Sequence, residues 1–299
     1  MSLPDDYLGY RKRTYGSDQD RYPWRPASER PAAPWPGGAA LAAMIVVPIE
    51  HHGLEPSGKP FKAPGAMQTP YPDLRHYTTR DYGNRVGVFR ILDALAAAGL
   101  KATFPVNADQ LQRLAPLLAA IVAEGHEVAA LGLSSDHIHW GGLDRAEEAV
   151  WVAEVRRRFT DAGLAPRTWM SPARQQSFAT LDLIAEQGFD ICLDWEADEA
   201  PLAMATATGP VTAIPLLNEL DDRTLLHDRR QTEDEWADQV LEAARVMAQG
   251  RPGAVLGFTL TPYVSGQPFR ISALRRLLAG IAGSSAWTAT ATQIAEACP

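Results

Sequence analysis

The sequence is poor in the features that mark disulfide-framed, nucleic-acid-binding or membrane-spanning chains. Its 299 residues contain two cysteines, Cys192 and Cys298, and no C-x-x-C pair. That argues against a cysteine zinc site and against a disulfide framework. Basic residues are the minority, 28 Lys and Arg against 36 Asp and Glu, for a net charge of −8. Nucleic acid and anionic membrane surfaces both require a basic face, so neither is expected as a partner. The longest apolar run, residues 39–49, is too short to span a bilayer. The first residues contain no apolar secretory core, which gives a cytoplasmic expectation. There is no G-x-G-x-x-G, no Walker A pattern and no Gly-x-Ser-x-Gly elbow. Nucleotide binding and serine hydrolysis therefore have no motif to rest on.

What is present is an alternating pattern. Residues 1–38 are rich in Pro, Arg, Asp and Trp, lack a clear period and read as an N-terminal arm. Residues 39–299 then read as one domain. Short apolar strands are expected at 42–47, 101–106, 127–131, 167–170, 190–193, 212–215 and 254–260. Helices are expected at 84–98, 114–124, 144–162, 178–187, 232–249, 271–282 and 291–297. Five of these helices stop at glycines, Gly99, Gly125, Gly163, Gly188 and Gly250. Glycine tolerates the left-handed conformation that closes a helix. Asp144 with Glu147 and Thr232 with Glu235 read as capping boxes. Strands alternating with capped helices imply a parallel sheet covered by helices, and about seven such units imply an α/β fold of distorted (β/α) barrel type. The stretch 51–80, with five prolines, reads as a long functional loop.

Active sites of parallel barrels form where strands end. Glu50, His51 and His52 follow the first strand. Glu50 reads either as a general base tuned by burial or as a solvated loop carboxylate. His137 and His139 follow the third strand and read as metal ligands, acid–base groups, orienting donors or backbone-satisfied loop residues. Asp194 and Asp198 follow the fifth strand and could orient an imidazole. His51, Arg80, Arg85, Trp140, Ser171, Trp195 and Glu219 occupy the same set of loops and are the candidates for holding substrate. If a metal is bound, Glu50, His51, His137 and His139 supply the available donors. The spacing of that set is not diagnostic. Zinc is therefore a possibility, while no cofactor is required.

Several ordered pieces are similar to the polysaccharide deacetylase superfamily, and most of all to its allantoinase-like, cyclic-amide hydrolase branch. They are Trp35-Pro-Gly-Gly followed by a strand ending at Glu50; Asp81-Tyr-Gly-Asn-Arg-Val-Gly87; Gly99-Leu-Lys-Ala-Thr-Phe104; Glu124-Gly-His-Glu-Val128; Ser171-Pro-Ala; Gly188-Phe-Asp; and Gly266-Gln-Pro-Phe-Arg270. The resemblance implies hydrolysis of a non-peptide C–N bond. It also implies a metal set that this chain lacks in large part. Glu50-His51 stands in place of an Asp pair, Leu131-Gly132 in place of a histidine, Met170-Ser-Pro172 in place of Arg-x-Pro, and Leu260-Thr261 in place of Leu-His. The metal-independent branch of the superfamily, acting on cyclic ureides or imides, is the better fit.

The expectation is thus a small-molecule amidohydrolase. Glu50 activates water, His137 or His139 assists the carbonyl or leaving nitrogen, Asp194 or Asp198 orients that imidazole, and Arg85 helps bind substrate. A rebuilt zinc deacetylase and an inactive binding barrel are the alternatives. The arm carries Tyr7, Tyr10, Tyr15, Tyr22 and Trp24, which could pack on a second copy, making a homo-oligomer, or on its own barrel.

Overall fold

The computed structural model describes residues 19–23, 25–30, 32–55 and 72–298. Among the described residues, nine strands form one sheet: β1 Leu41–Val46, β2 Thr103–Val106, β3 Glu127–Ala130, β4 Thr168–Trp169, β5 Ile191–Cys192, β6 Leu202–Met204, β7 Val211–Ala213, β8 Ala254–Thr259 and β9 Trp287–Thr288. The order is β6-β7-β5-β4-β3-β2-β1-β8, with β9 also paired to β1. All neighbours are parallel except β6 and β7. The helices are α1 Leu74–Tyr82, α2 Val88–Ala98, α3 Ala115–Ala123, α4 Arg145–Asp161, α5 Thr180–Glu186, α6 Glu233–Ala248, α7 Ile271–Ala282 and α8 Ala291–Ala297.

The sheet curls into a barrel, and its ends are joined by single backbone bonds in place of a full ladder. Leu217 N donates to Gly257 O at 2.9 Å, and Val255 N donates to Glu199 O at 2.7 Å. At this seam a Cβ on Gly257 would run into the carbonyl oxygen of Pro215 and come within 3.2 Å of Leu216 Cα. Glycine is what permits the approach.

Alternation along the strands separates two cores. On β1, Leu41, Ala43 and Ile45 face the helices, while Ala42, Met44 and Val46 face the barrel interior. The interior holds Leu131, Met170, Leu193, Ile214, Leu216 and Val255 as well. Trp35 plugs its floor, stacked on Trp287 at 5.7 Å with its indole N–H on Ala254 O at 2.7 Å. An apolar interior with a closed floor leaves the strand C-termini as the open, polar end.

The expected strands and most helices are present. Gly99, Gly125, Gly163 and Gly188 have φ between 68° and 76°, so they close their helices in the left-handed conformation; Gly250 is not among the positive-φ residues. Thr232 and Glu235 form the full capping box, whereas Asp144 caps α4 from its own side chain alone. Three elements were not expected: the antiparallel β6, the two-residue β9, and α1 inside the supposed loop. The helix expected at 84–98 begins with a five-residue π turn, Gly83–Gly87.

The described part of the arm lies on its own barrel. Arg21 pairs with Asp182 at 2.8 Å, Arg30 with Asp198, and Tyr22 meets Trp195 edge-on at 6.2 Å. Tyr7, Tyr10, Tyr15 and Trp24 lie outside the described residues. No helix among the described residues is long and apolar enough to cross a membrane.

Candidate active site

Glu50 follows β1 immediately after Ile49, which bridges to Val106 of β2. The backbone there is anchored on both sides. Asn84 donates to Glu50 O at 2.8 Å, and Asn107 Oδ1 accepts from His51 N at 2.8 Å. Burial by itself would push the Glu50 carboxyl up. His52, whose Nε2 is 3.7 Å away, together with Arg223 and Arg80, outweighs burial and holds it below the ordinary range. At 3.7 Å the His52 contact is electrostatic and not a formed hydrogen bond. Glu50 is thus a half-buried carboxylate kept ionised by its surroundings.

The two arginines come from distant parts of the chain. Arg80 belongs to α1, a helix whose buried residues are His76 and Arg80. Its guanidinium lies over the Tyr263 ring, 5.0 Å from the centroid. Arg223 follows β7, and its charge acts on Glu50 and on Tyr263. Burial raises the Tyr263 pKa, so the hydroxyl stays protonated and can donate. His52 and His76 meet edge-to-face at 5.5 Å. Burial, then Arg80 and His52, lower the His76 pKa to about 4, so this imidazole is neutral at pH 7.

The loop bearing Tyr263 is seated by close backbone contact. A Cβ on Gly83 would lie 2.7 Å from Tyr263 N, and one on Gly87 would overlap Pro262 O. The π turn and its glycines therefore fix where Arg80 and Tyr263 meet. Beneath them, Asp221 Oδ1 accepts from Thr259 N at 3.0 Å and Asp222 Oδ2 from Thr261 N at 2.7 Å. Burial raises Asp221 to about 6 and Asp222 to about 7, against the lowering from these bonds.

Of the residues singled out in the sequence, Glu50 and Arg80 meet here. The others are placed elsewhere or committed to other partners. His139 is sealed in the outer layer with Nδ1 2.8 Å from Glu148, and its ring lies edge-on to Trp151 and Trp169. Its orienting carboxylate is thus Glu148, not Asp194 or Asp198. His137 Nδ1 lies 2.6 Å from Ser134 Oγ, so it too has no carboxylate of that pair behind it. Asp194 accepts from Ser171 N at 2.8 Å and from Gln176 Nε2 at 2.6 Å, and Trp195 donates to Gln176 at 3.0 Å. Ser171 Oγ accepts the Trp169 indole N–H at 2.8 Å. Asp198 serves the arm through Arg30.

Arg85 is 75% exposed and paired with Asp81 at 3.6 Å. His51 faces Tyr77 and Arg113. Trp140 is exposed over Gly142, and Glu219 pairs with Arg229 on the surface. The donors Glu50, His51, His137 and His139 do not converge. Among the described residues no group of three or more His, Cys, Asp or Glu is arranged to hold a metal ion. The described residues do not fit the zinc that the sequence left possible.

His52, His76, Asp221, Asp222, Arg223 and Tyr263 were not selected from the sequence. Their one signal was position: each follows a strand end or lies in the long segment after β1.

Residues 70–191 match the polysaccharide deacetylase family model. A search of the curated proteins gives no match. Among solved structures, a probable polysaccharide deacetylase from Pseudomonas aeruginosa PAO1 is similar with a TM-score of 0.78 and 23% identity, covering 95% of each chain. Puue allantoinase aligns with a TM-score of 0.75 and 23% identity over 99% of this chain and 97% of its own. A polysaccharide deacetylase structure from Mycobacterium smegmatis aligns with a TM-score of 0.73 and 24% identity over 89% of this chain and 93% of its own. At these identities the alignments establish the common barrel. The family is one of hydrolases that act on carbon–nitrogen bonds of amides. Residues 70–191 are thus similar to a polysaccharide deacetylase domain, and the barrel has the fold of these solved structures.

Proposed function

We propose that this protein hydrolyses a non-peptide C–N bond in a small amide, with cyclic ureides or imides as the first substrate class to test, and that Glu50 activates the water. The observation that supports this is the state of Glu50, a half-buried carboxylate at a strand end whose pKa His52, Arg223 and Arg80 hold below the ordinary range. Its ionised form is secured at some cost in basicity.

The step balances on this chain's own residues. Water adds to the carbonyl carbon and its proton passes to Glu50. The oxygen that gains charge is met by the Tyr263 hydroxyl and the neighbouring Arg80 guanidinium. Collapse breaks the C–N bond, and the leaving nitrogen takes the proton back from Glu50. The products are a carboxylic acid and an amine or amide nitrogen.

The test is a panel of hydantoin, allantoin, succinimide, dihydrouracil and an N-acetylated sugar, each with and without chelator. Chelator-resistant opening of a cyclic amide is expected. Glu50→Gln should slow it by about 10²- to 10⁴-fold, the size of a lost general base. Full activity in Glu50→Gln overturns the assignment, chelator-sensitive loss of acetyl favours a rebuilt metal site, and no turnover at all favours a binding barrel. A cytoplasmic setting and self-association through the arm belong to the same reading. Localisation of tagged protein and its mass in solution test them.

A further inference from the structure

We infer that the arm and the barrel together enclose a second binding site, away from Glu50, for a small organic anion with a flat apolar body. The inference does not depend on the hydrolytic reading of the Glu50 cleft.

A cavity of about 640 Å³ lies between the arm and the barrel. Small-ligand pockets are on the order of 300–1,000 Å³. Its walls include Arg25, Arg30 and Trp35 from the arm, Pro201 and Leu202 at the start of β6, and Cys298 after α8. Trp35 bonds Ala254, the first residue of β8, so the cavity sits where strands begin, whereas Glu50 follows the end of β1. The six residues of β1 put roughly 20 Å between those two ends.

The arm is a fixed wall here. Ala205 N donates to Arg21 O at 2.7 Å, and Arg21 pairs with Asp182 at 2.8 Å. Arg251 donates to Ser28 O at 2.7 Å and also to Arg30 O. Arg25 lies between these two anchors in sequence. Gly253, at φ 97°, lets the barrel come close to Ala33, where a Cβ would stand 3.2 Å from the carbonyl oxygen.

Two features of the wall favour an anion. The described lining residues carry two guanidinium groups and a single carboxylate, Asp198. Asp198 pairs with Arg30 and accepts from Glu199 N at 2.6 Å, and no carboxylate among the described residues pairs with Arg25. Arg30, despite its ion pair, keeps a buried Nε without a hydrogen-bond acceptor. Buried donors in native proteins nearly always have a partner, so this one gains from an acceptor brought in by a ligand. A guanidinium fork matches a carboxylate or phosphate, and the Trp35, Pro201 and Leu202 side chains suit an apolar body.

Cys298 reports occupancy in the unaltered full chain. It lines the cavity, while the other cysteine, Cys192, is fully buried. Burial pushes the Cys298 thiol up, so its alkylation by iodoacetamide is followed at pH 9. At least one of benzoate and phenyl phosphate should slow that alkylation saturably, and the one effective at lower concentration identifies the head group. Benzyl alcohol should need roughly 10-fold more, the loss of one charge-assisted bond. Arg25→Met should bring anion and alcohol to about the same half-saturating concentration, and Arg25→Lys should keep part of the difference, because a point charge lacks the fork. Equal protection by benzyl alcohol, or no protection by either anion up to about 10 mM, overturns the inference without any variant. An unchanged ratio in Arg25→Met does so as well.

Discussion

His139 and Glu148 form a pair closed to solvent, with imidazole Nδ1 2.8 Å from a carboxylate oxygen and both side chains at 1% exposure or less. Glu148 also accepts from Ser177 at 2.5 Å and from Thr180 at 2.5 Å. One carboxylate therefore ties the loop after β3, helix α4 and the start of α5 together.

Glu148→Ala strands three polar groups in the interior. Breaking such a network costs about 3–5 kcal/mol. Glu148→Gln keeps an acceptor and should cost clearly less. Urea unfolding of the two variants checks this, and equal midpoints would show that the network contributes little.

Gly257→Ala tests the seam of the barrel. The added methyl meets the Pro215 carbonyl, a backbone atom that cannot swing away. Overpacking of this kind costs about 1–3 kcal/mol. A lowered urea midpoint with an unchanged slope is the expected result.

In the proposed reaction, Tyr263→Phe removes a donor to the developing oxyanion. Losing one such donor costs about 10²- to 10³-fold in kcat. The ring and its contact with Arg80 remain, so substrate KM should change far less. An unchanged kcat would remove Tyr263 from the reaction.

Asp221 and Asp222 give the stability a defined pH trend. Their folded pKa values, about 6 and about 7, lie above the ordinary carboxylate range. The native state thus holds protons that the unfolded chain has already released, and stability falls as pH rises from about 4 to about 7. Glu50 acts oppositely, since its depressed pKa adds stability that is lost on acidification below the carboxylate range. Asp222→Asn should flatten the upper part of the decline when unfolding is measured at pH 5, 6, 7 and 8. A slope unchanged from the unaltered protein would show that Asp222 does not titrate there.

Much of the barrel was legible because its signals are local. Apolar strands, glycine stops and the Thr232 cap each lie within a few residues, and each agrees with the next. Helix α1 was missed for a physical reason. Its sequence, Leu74-Arg-His-Tyr-Thr-Thr-Arg-Asp-Tyr82, has no apolar stripe, because the face it buries carries His76 and Arg80. A helix that turns a polar face to a site is invisible to hydrophobic periodicity. Strands β6 and β9 are three and two residues long, and their pairing is decided by partners elsewhere in the chain.

The sequence by itself determined the α/β alternation, the helix stops and the place of Glu50 at a strand end. It did so because those features follow from short-range sterics and from the burial of apolar periods. Only the tertiary structure decided which partners Glu50 has. His137 and His139 are close to each other in sequence, yet His139 turns outward to Glu148. Arg80, Arg223 and Tyr263 are far apart in sequence, yet barrel curvature and the glycine contacts on Pro262 and Tyr263 bring them together at the mouth. Electrostatic environment is a property of distance in space, and only closure of the barrel defines those distances.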